Sequence, residues 1–411
     1  MTFSHTRPAA RAPAIPRRGT SSAPLSYAQQ GLWFLDQFAP GSPRYNIPMA
    51  LQLDGPLDVE VLAGAVALVV RRHEILRTTF IEDRGEPRQI VSTTSSVQMR
   101  FVDASAIEPA KRGRVVPRLV RQELWQPFEL AQGPLLRISL WRMAADQHVL
   151  TATMHHIIAD AWSVNVLLRE ITTIYASLVA NRPAALPPLP IQYGDYAAWE
   201  RARVEGPAFE RTLTYWENQL AGVEPLDLPS DRPRLATRTF AGAAQPWKLS
   251  REVSAGLREL ARRERVTLFM LLVAVFAVLV RRYTHQDDLA IGSPMTTRQT
   301  RETEPLVGLF LNTLVLRVNA AGRQPFQRFL AHVRDVVLGA FMHRDAPFER
   351  LVEHLRPSRR DDAPLFNVML AVHPGVKSGI GIDGVQVTEL PVAEEAIRFD
   401  VTLFAIEGAT S

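Results

Sequence analysis

The chain has 411 residues, 46% hydrophobic and 22% charged, with 47 Lys and Arg against 42 Asp and Glu, a formal charge of +5 and no cysteine. This balance is globular and excludes disordered and fibrous classes; the missing cysteine removes disulfides, thiolate nucleophiles and cysteine metal sites together. The cations are scattered among acids, which argues against a nucleic-acid partner, and the length predicts two lobes.

Residues 1–22 are rich in Pro and Ser, lack periodicity and read as a disordered leader that includes the one acid-free cation run, Arg7 to Arg18. No apolar segment there resembles a signal peptide, so cytoplasmic location is the default expectation. A helix is predicted over Tyr27–Phe38 and a strand over Asn46–Leu53, closed by Gly55-Pro56. Val61, Leu62, Ala65, Val66 and Val69 fall at helical spacing within Asp58–Arg72, and Thr78–Ile81 is extended. His148–Met154 reads as a strand and Val164–Leu178 as a helix with Leu167, Leu168, Ile171 and Ile174 inward. Prolines and glycines between Ala221 and Pro246 mark a connector. Leu268–Val280 is shorter than the roughly 20 residues that cross a bilayer and reads as a buried helix, so no membrane span is expected. Strands at Asp288–Ile291 and Leu311–Val318 and a helix over Phe326–Phe341 follow. The expected organisation is α/β: a leader at 1–22, an N-terminal lobe at 23–190, a connecting helix and linker at 191–245, and a C-terminal lobe at 246–411.

The chemistry concentrates at His155-His156-Ile-Ile-Ala-Asp160. On a regular strand successive side chains oppose each other, so His156 shares a face with Leu150, Ala152 and Met154, and His155 with Val149, Thr151 and Thr153. The two imidazoles therefore diverge and do not share a metal. One enters a cavity while the other buttresses the fold, and Asp160 caps the following helix or pairs with an arginine. Taken alone, the same residues also suit a purely structural cluster. No phosphate-cradling glycine loop and no activated serine elbow is present.

Six further segments stand in order around this motif: Leu25-Ser-Tyr-Ala-Gln-Gln-Gly-Leu-Trp-Phe-Leu35, Arg72-His-Glu-Ile-Leu-Arg-Thr-Thr-Phe80, Tyr193-Gly-Asp-Tyr-Ala-Ala-Trp199, Ile291-Gly-Ser-Pro through Val307-Gly-Leu-Phe-Leu-Asn-Thr313, His343-Arg-Asp-Ala-Pro-Phe-Glu349, and Pro364-Leu-Phe-Asn-Val-Met369. The series resembles the condensation domains of nonribosomal peptide synthetases and their chloramphenicol-acetyltransferase-like relatives, from Leu25 to the end of the chain. The resemblance implies two acetyltransferase-like lobes in a V-shaped pseudo-dimer with a central substrate tunnel. Two phosphopantetheine arms would enter it, one carrying an acyl thioester and the other an aminoacyl acceptor. The implied partners are an acceptor peptidyl carrier protein, a donor acyl carrier protein or acyl-CoA, and a neighbouring adenylation domain; the domain itself would bind no cofactor or metal and be a monomer.

By the same resemblance the catalytic motif is His155, His156 and Asp160, with His156 contacting the amine and Asp160 held in a buried ion pair, Arg77 being the leading partner and Arg298 the second choice. Ala161 stands where the family usually has glycine, and its methyl narrows the channel. Trp162, Ser163, Ser293 and Asn312 are the other tunnel candidates, although Trp33, Trp162 and Trp199 also suit core positions. His343 and Asp345 suit a helix-end cap. The first motif lies close to Met1, which suggests a starter domain that N-acylates the first amino acid. An elongating domain is the alternative, followed by a non-catalytic recruiting domain of the same fold and a stand-alone CoA-dependent acyltransferase. The family pattern runs on past Asp400-Val-Thr-Leu403, so the C-terminus is expected to be truncated.

Overall fold

The computed structural model describes residues 15–407 except 95, 185, 205, 232–241, 323, 356–364, 375–380 and 393–396. Residues 1–14 of the expected leader, the middle of the expected connector, Pro364 and the last four residues lie outside the described residues.

The N-terminal half runs β1 (Ser22–Pro24), α1 (Tyr27–Phe38), β2 (Asn46–Asp54), α2 (Val59–Arg72), β3 (Thr78–Asp83), β4 (Glu86–Val91), β5 (Met99–Asp103) and α3 (Pro109–Leu124). It continues with β6 (Leu136–Ala144), β7 (Gln147–His155), α4 (Ala161–Val179) and α5 (Tyr193–Arg203). The C-terminal half runs α6 (Pro207–Leu220), α7 (Arg251–Arg263), α8 (Leu268–Thr284), β8 (Asp288–Thr296), β9 (Leu311–Asn319), α9 (Phe326–Met342) and α10 (Phe348–Leu355). Three strands close it: β10 (Val368–Pro374), β11 (Gln386–Glu389) and β12 (Val401–Glu407). Helix starts follow side-chain capping: Asp58 accepts from Val61 N, Thr267 from Met270 N, and Ser26 and Gln29 form a reciprocal capping box at α1.

A five-stranded sheet in the order β11-β2-β7-β6-β5 centres the first half, and a four-stranded sheet, β12-β10-β8-β9, centres the second. β7 is the middle strand of the first sheet, antiparallel to β2 and to β6. One face of β7 buries Leu150, Ala152 and Met154 against Val66 of α2 and Leu167 and Ile171 of α4. On the other, Thr151 receives the Trp141 indole N–H and Thr153 donates to the Leu124 carbonyl at the end of α3. Burying each large apolar side chain of this strand contributes about 1.5–3 kcal/mol. Among the described residues no single helix is long and apolar enough to cross a membrane; α8, the expected buried helix, places Leu271, Val273, Ala274 and Ala277 in the second core.

Two boundaries differ from the sequence expectation. Residues 15–22 are packed: Ile15 is buried, Arg17 donates to the carbonyls of Leu189 and Pro190, and Arg18 pairs with Glu74 and Asp195. These anchors lie more than 50 residues away along the chain, beyond the reach of local periodicity. The 191–245 block is divided between the cores, since Tyr193, Tyr196 and Ala197 of α5 belong to the first and Phe209, Leu213, Trp216 and Leu220 of α6 to the second. The C-terminal half also gives back two pieces. Leu306, Val307, Leu309 and Phe310 pack into the first core, and β11 adds to the edge of β2 with Val387 opposite Leu53.

Candidate functional site at the end of the central strand

β7 ends at His155, and His156 opens a single 3-10 turn, His156–Ile158, before Asp160 starts α4. The expected face for His156, shared with Met154, therefore does not apply: the chain leaves the strand one residue earlier. The turn is fixed from three sides. His155 Nδ1 accepts from the Ile157 N–H at 3.2 Å, Gln29 of α1 donates to the Ile157 carbonyl at 2.9 Å, and Asp160 Oδ1 accepts from the Ser163 N–H at 2.7 Å as the helix cap.

His155 is buried and edge-on to Tyr45 and Phe128, each with ring centroids 6.2 Å away. His156 retains an accessible edge, while its Nδ1 is buried without a well-formed hydrogen bond. Both imidazoles are neutral. Burial pushes His155 down to about 3, with His156 and Arg398 adding to it. His156 is also pushed down to about 3, first by burial and then by the Arg398 charge; the carbonyls of His156 and Ala159 act in the opposite direction, and His373 adds a smaller depression.

Asp160 pairs with Arg298, at 3.2 Å from Nη2 to Oδ1 and 3.4 Å to Oδ2, and both side chains are 2% exposed. Arg77, the leading partner in the sequence reading, is elsewhere: the turn Glu74–Arg77 buries Ile75 and Leu76 and leaves Arg77 to donate to the Ser92 carbonyl. The Arg298 guanidinium also donates to the carbonyls of Thr303 and Leu306 and lies 3.9 Å above the Phe310 ring. Burial lowers its pKa and Asp160 opposes that; arginine nevertheless keeps its proton. The Phe310 N–H donates to Asp160 Oδ2 at 3.1 Å. One buried carboxylate thus caps α4, binds an arginine of the C-terminal half and holds the crossing segment.

The tunnel candidates separate. Ala161 and Trp162 are exposed at the start of α4, and Trp162, 46% exposed, donates its indole N–H to the Glu304 carbonyl at 2.9 Å. Ser163, Ser293 and Asn312 are buried. Ser163 Oγ accepts from Gly308 N and from Arg298 and lies 2.6 Å from Asp160 Oδ1, Ser293 donates to the Leu370 carbonyl, and Asn312 donates to the carbonyls of Arg344 and Ala346. Their polar atoms satisfy backbone groups that would otherwise be buried unpaired. Trp33 is a core residue and Trp199 packs against the same core. His343 is the C-terminal cap residue of α9 and stacks on Tyr215 at 3.7 Å, while Asp345 meets Gln299 and Arg203.

Sequence reasoning missed Tyr45, Phe128, His373 and Arg398. Arg398 lies over the Tyr45 ring at 4.9 Å, and His373, at the end of β10, stacks on Phe404. Both come from the C-terminal half, and no spacing links them to the His155–Asp160 motif.

The sequence model of the Condensation domain family matches residues 20–410. A linear gramicidin synthase of Brevibacillus parabrevis is 40% identical over 399 residues, 96% of this chain and 5% of the relative. Phosphinothricin tripeptide synthetase PhsC of Streptomyces viridochromogenes is 40% identical over 367 residues, 88% of this chain and 34% of the relative. The chain thus spans about a third or less of these relatives. Among solved structures, the X-domain from teicoplanin biosynthesis superposes with a TM-score of 0.84 at 29% identity, covering 96% of this chain and 87% of that one. The chain belongs to the condensation-domain family of nonribosomal peptide synthetases.

Proposed function

We propose that this domain forms an amide bond between a carrier-bound acyl thioester and a carrier-bound aminoacyl amine, and that it is of the elongating type. The observation that carries the reading is His156: a neutral imidazole with an accessible edge, fixed by a turn that three separate elements hold. The likeness to a tripeptide synthetase supports a peptidyl or aminoacyl donor over a fatty acyl one. A donor carrier, an acceptor carrier and an adenylation domain are the corresponding partners.

The chemistry asks little of a base. The acceptor α-amine titrates near 7.7 to 8.0, so an appreciable fraction is neutral at physiological pH. Its lone pair attacks the thioester carbon, the carbonyl pair moves to oxygen, and collapse of the adduct expels the pantetheine thiolate, which takes up the proton released by the amine. With His156 pushed down to about 3, it is a weak proton acceptor and a good hydrogen-bond acceptor. Its principal role is to aim the amine. Holding amine and thioester in attack geometry is worth about 7 to 11 kcal/mol, more than the roughly 10²- to 10⁴-fold of general-base catalysis. His155 and Asp160 hold the turn and touch no substrate.

A second reading comes from the X-domain likeness: a recruiting domain that binds a partner enzyme. Ala161 in place of the usual glycine favours it, because a methyl group stands at the exposed first turn of α4, directly after Asp160 of the motif. Mass spectrometry decides. The domain is mixed with an aminoacyl acceptor carrier and, separately, with a peptidyl or aminoacyl carrier and with acyl-CoA. Dipeptidyl product from the carrier donor alone supports the elongating reading, N-acyl product from acyl-CoA replaces it with the starter type, and no product from any donor overturns catalysis.

A further inference from the structure

The capping box that starts α1 reaches beyond its own helix. Within the box the Gln29 N–H donates to Ser26 Oγ and the Ser26 N–H to Gln29 Oε1, each at 3.1 Å. Neither bond uses the Ser26 hydroxyl proton or the Gln29 side-chain NH2. Gln29 Nε2 donates to the Ile157 carbonyl at 2.9 Å, and Ser26 Oγ lies 2.9 Å from the hydroxyl of Tyr193, the first residue of α5. Tyr193 has one phenolic proton and gives it to the Leu309 carbonyl at 2.7 Å, so Ser26 is the donor to Tyr193. The same peptide is gripped on its other side, where the Phe310 N–H donates to Asp160. The path is a closed circuit, from Ile157 through Gln29, Ser26, Tyr193 and the Leu309-Phe310 peptide to Asp160 and back along the turn. Ser26, Gln29, Tyr193 and Asp160 are each 1% exposed or less, so water competes little for these bonds and they strengthen one another. Ile157 directly follows His156 and is held on both sides, its N–H by His155 Nδ1 and its carbonyl by Gln29.

We propose that Tyr193 is a positioning residue of the condensation site: its hydroxyl, acting through Ser26 and Gln29, sets the Ile157 carbonyl and with it the direction of the His156 imidazole. The same hydroxyl refers that direction to a peptide supplied by the C-terminal half. The Tyr193 ring is fixed independently, against Gly308 and edge-on to Phe310 with centroids 5.0 Å apart, so the hydroxyl can be removed without unseating the ring. Ser26 then has no acceptor for its proton and is free to turn from the Gln29 N–H, and the amide that holds Ile157 loses its own support. The proposal rests on the amide-forming function only in what the aimed imidazole is used for. The aim itself is a property of the protein without substrate.

Tyr193→Phe removes only the oxygen, and Ser26→Ala cuts the circuit at its next member. Thr267→Ala is the control, because it takes the same kind of cap from α8 in the second core and touches no member of the circuit. Histidine ring carbons are labelled in the full chain, and the His156 resonance is assigned by its loss in His156→Ala. In Thr267→Ala this resonance is expected to keep its wild-type position. In Tyr193→Phe and Ser26→Ala it is expected to move or split, while that of the exposed His285 stays in place. With both carriers loaded, single-turnover amide formation is expected to fall about five- to tenfold in these two variants, the size of one lost hydrogen bond, at nearly unchanged acceptor affinity. In a His156→Ala background Tyr193→Phe is expected to lower the rate no further. A His156 resonance that both circuit variants leave in place overturns the positioning role, as does one that Thr267→Ala displaces equally or a rate loss that persists in full without His156. If Tyr193→Phe does not fold, Ser26→Ala carries the same test, alone and with His156→Ala. If wild type makes no product with any donor yet the resonance moves as expected, the amide-forming reading falls and the positioning role stands.

Discussion

Two strands, one from each half, carry a histidine at or next to their last residue here. β7 delivers His155 and, a residue later, His156; β10 delivers His373 next to Pro374. After β7 the chain makes one 3-10 turn and enters α4, whose cap, Asp160, is locked to Arg298 and to the Phe310 N–H. His373 is half-buried and stacks on Phe404 of β12, with ring centroids 5.9 Å apart. A histidine at a strand end is thus not sufficient for a site. The next few residues make the difference: a turn held by a buried carboxylate against a helix N-terminus places an imidazole at the interface, whereas a ring stacked on a neighbouring strand remains part of the wall.

Breaking that lock is the most damaging way to erase the difference. Arg298→Gln leaves Asp160 buried without its cation and is expected to cost about 3 to 5 kcal/mol in chemical denaturation, with activity lost as a consequence. Asp160→Asn, which keeps the cap oxygen, is expected to cost less than the arginine change. Removing the imidazoles one at a time sharpens the contrast without unfolding anything: His156→Ala is expected to lower single-turnover amide formation by roughly 10²-fold or more at nearly unchanged melting temperature, and His373→Ala by only a few-fold. Equal losses would mean that the two strand ends are equivalent after all.

A smaller effect probes the crossing segment that Asp160 holds. Gly308 lies against the Tyr193 ring so closely that an added Cβ would sit 1.9 Å from Cδ2, and Tyr193 is pinned by hydrogen bonds to Ser26 and to the Leu309 carbonyl. Gly308→Ala is expected to cost roughly 1–3 kcal/mol and to weaken activity through the displaced Phe310 N–H.

The smallest effect is a pH slope. His155 and His156 stay neutral when folded but take up protons near 6.5 when unfolded, so their contribution to stability falls as pH drops from about 6.5 toward 3. Glu349 of α10 has the opposite sign. Its carboxyl lies against Gly31 of α1, and burial, with Glu200 adding to it, pushes it up to about 7 from an ordinary 4.5. The folded chain holds a proton there that the unfolded chain has released, so its contribution falls as pH rises from about 4.5 to 7. Glu349→Gln is expected to flatten that decline when urea unfolding is compared at pH 5 and pH 8; an unchanged difference would show that the carboxyl is already ionised in the fold.

The histidine motif and most helices around it were legible because they are local. The spacing of Val61, Leu62, Ala65, Val66 and Val69 records one buried face, and Ser26 with Gln29 records a capping box. Features decided by chain topology were not legible. Arg77 and Arg298 are equally good cations in a sequence, and only the return of residues 306–310 into the first core brings Arg298 to Asp160 across 138 residues. The hydrogen-bond partners of Ser163, Ser293 and Asn312 were hidden for a related reason. A polar residue inside a motif suggests contact with substrate, but each of these meets a backbone carbonyl or N–H that a two-lobed fold buries where its segments cross.

The strand β11 bears on how such a domain can be cut and rejoined. It belongs by sequence to the C-terminal half but completes the first sheet, with Gln386 opposite Asp54 and Glu389 opposite Leu51. The loop before it presses on the first half as well, the Gly384 carbonyl lying 2.3 Å from where a Cβ on Gly55 would stand. A chimera joined between α5 and α6 would look like a clean exchange of lobes. It would in fact exchange the outermost strand of the N-terminal sheet as well, so that β2 must pair with an incoming strand it was not matched to. Recombination that respects the sheets must carry residues 382–389 along with the lobe they complete.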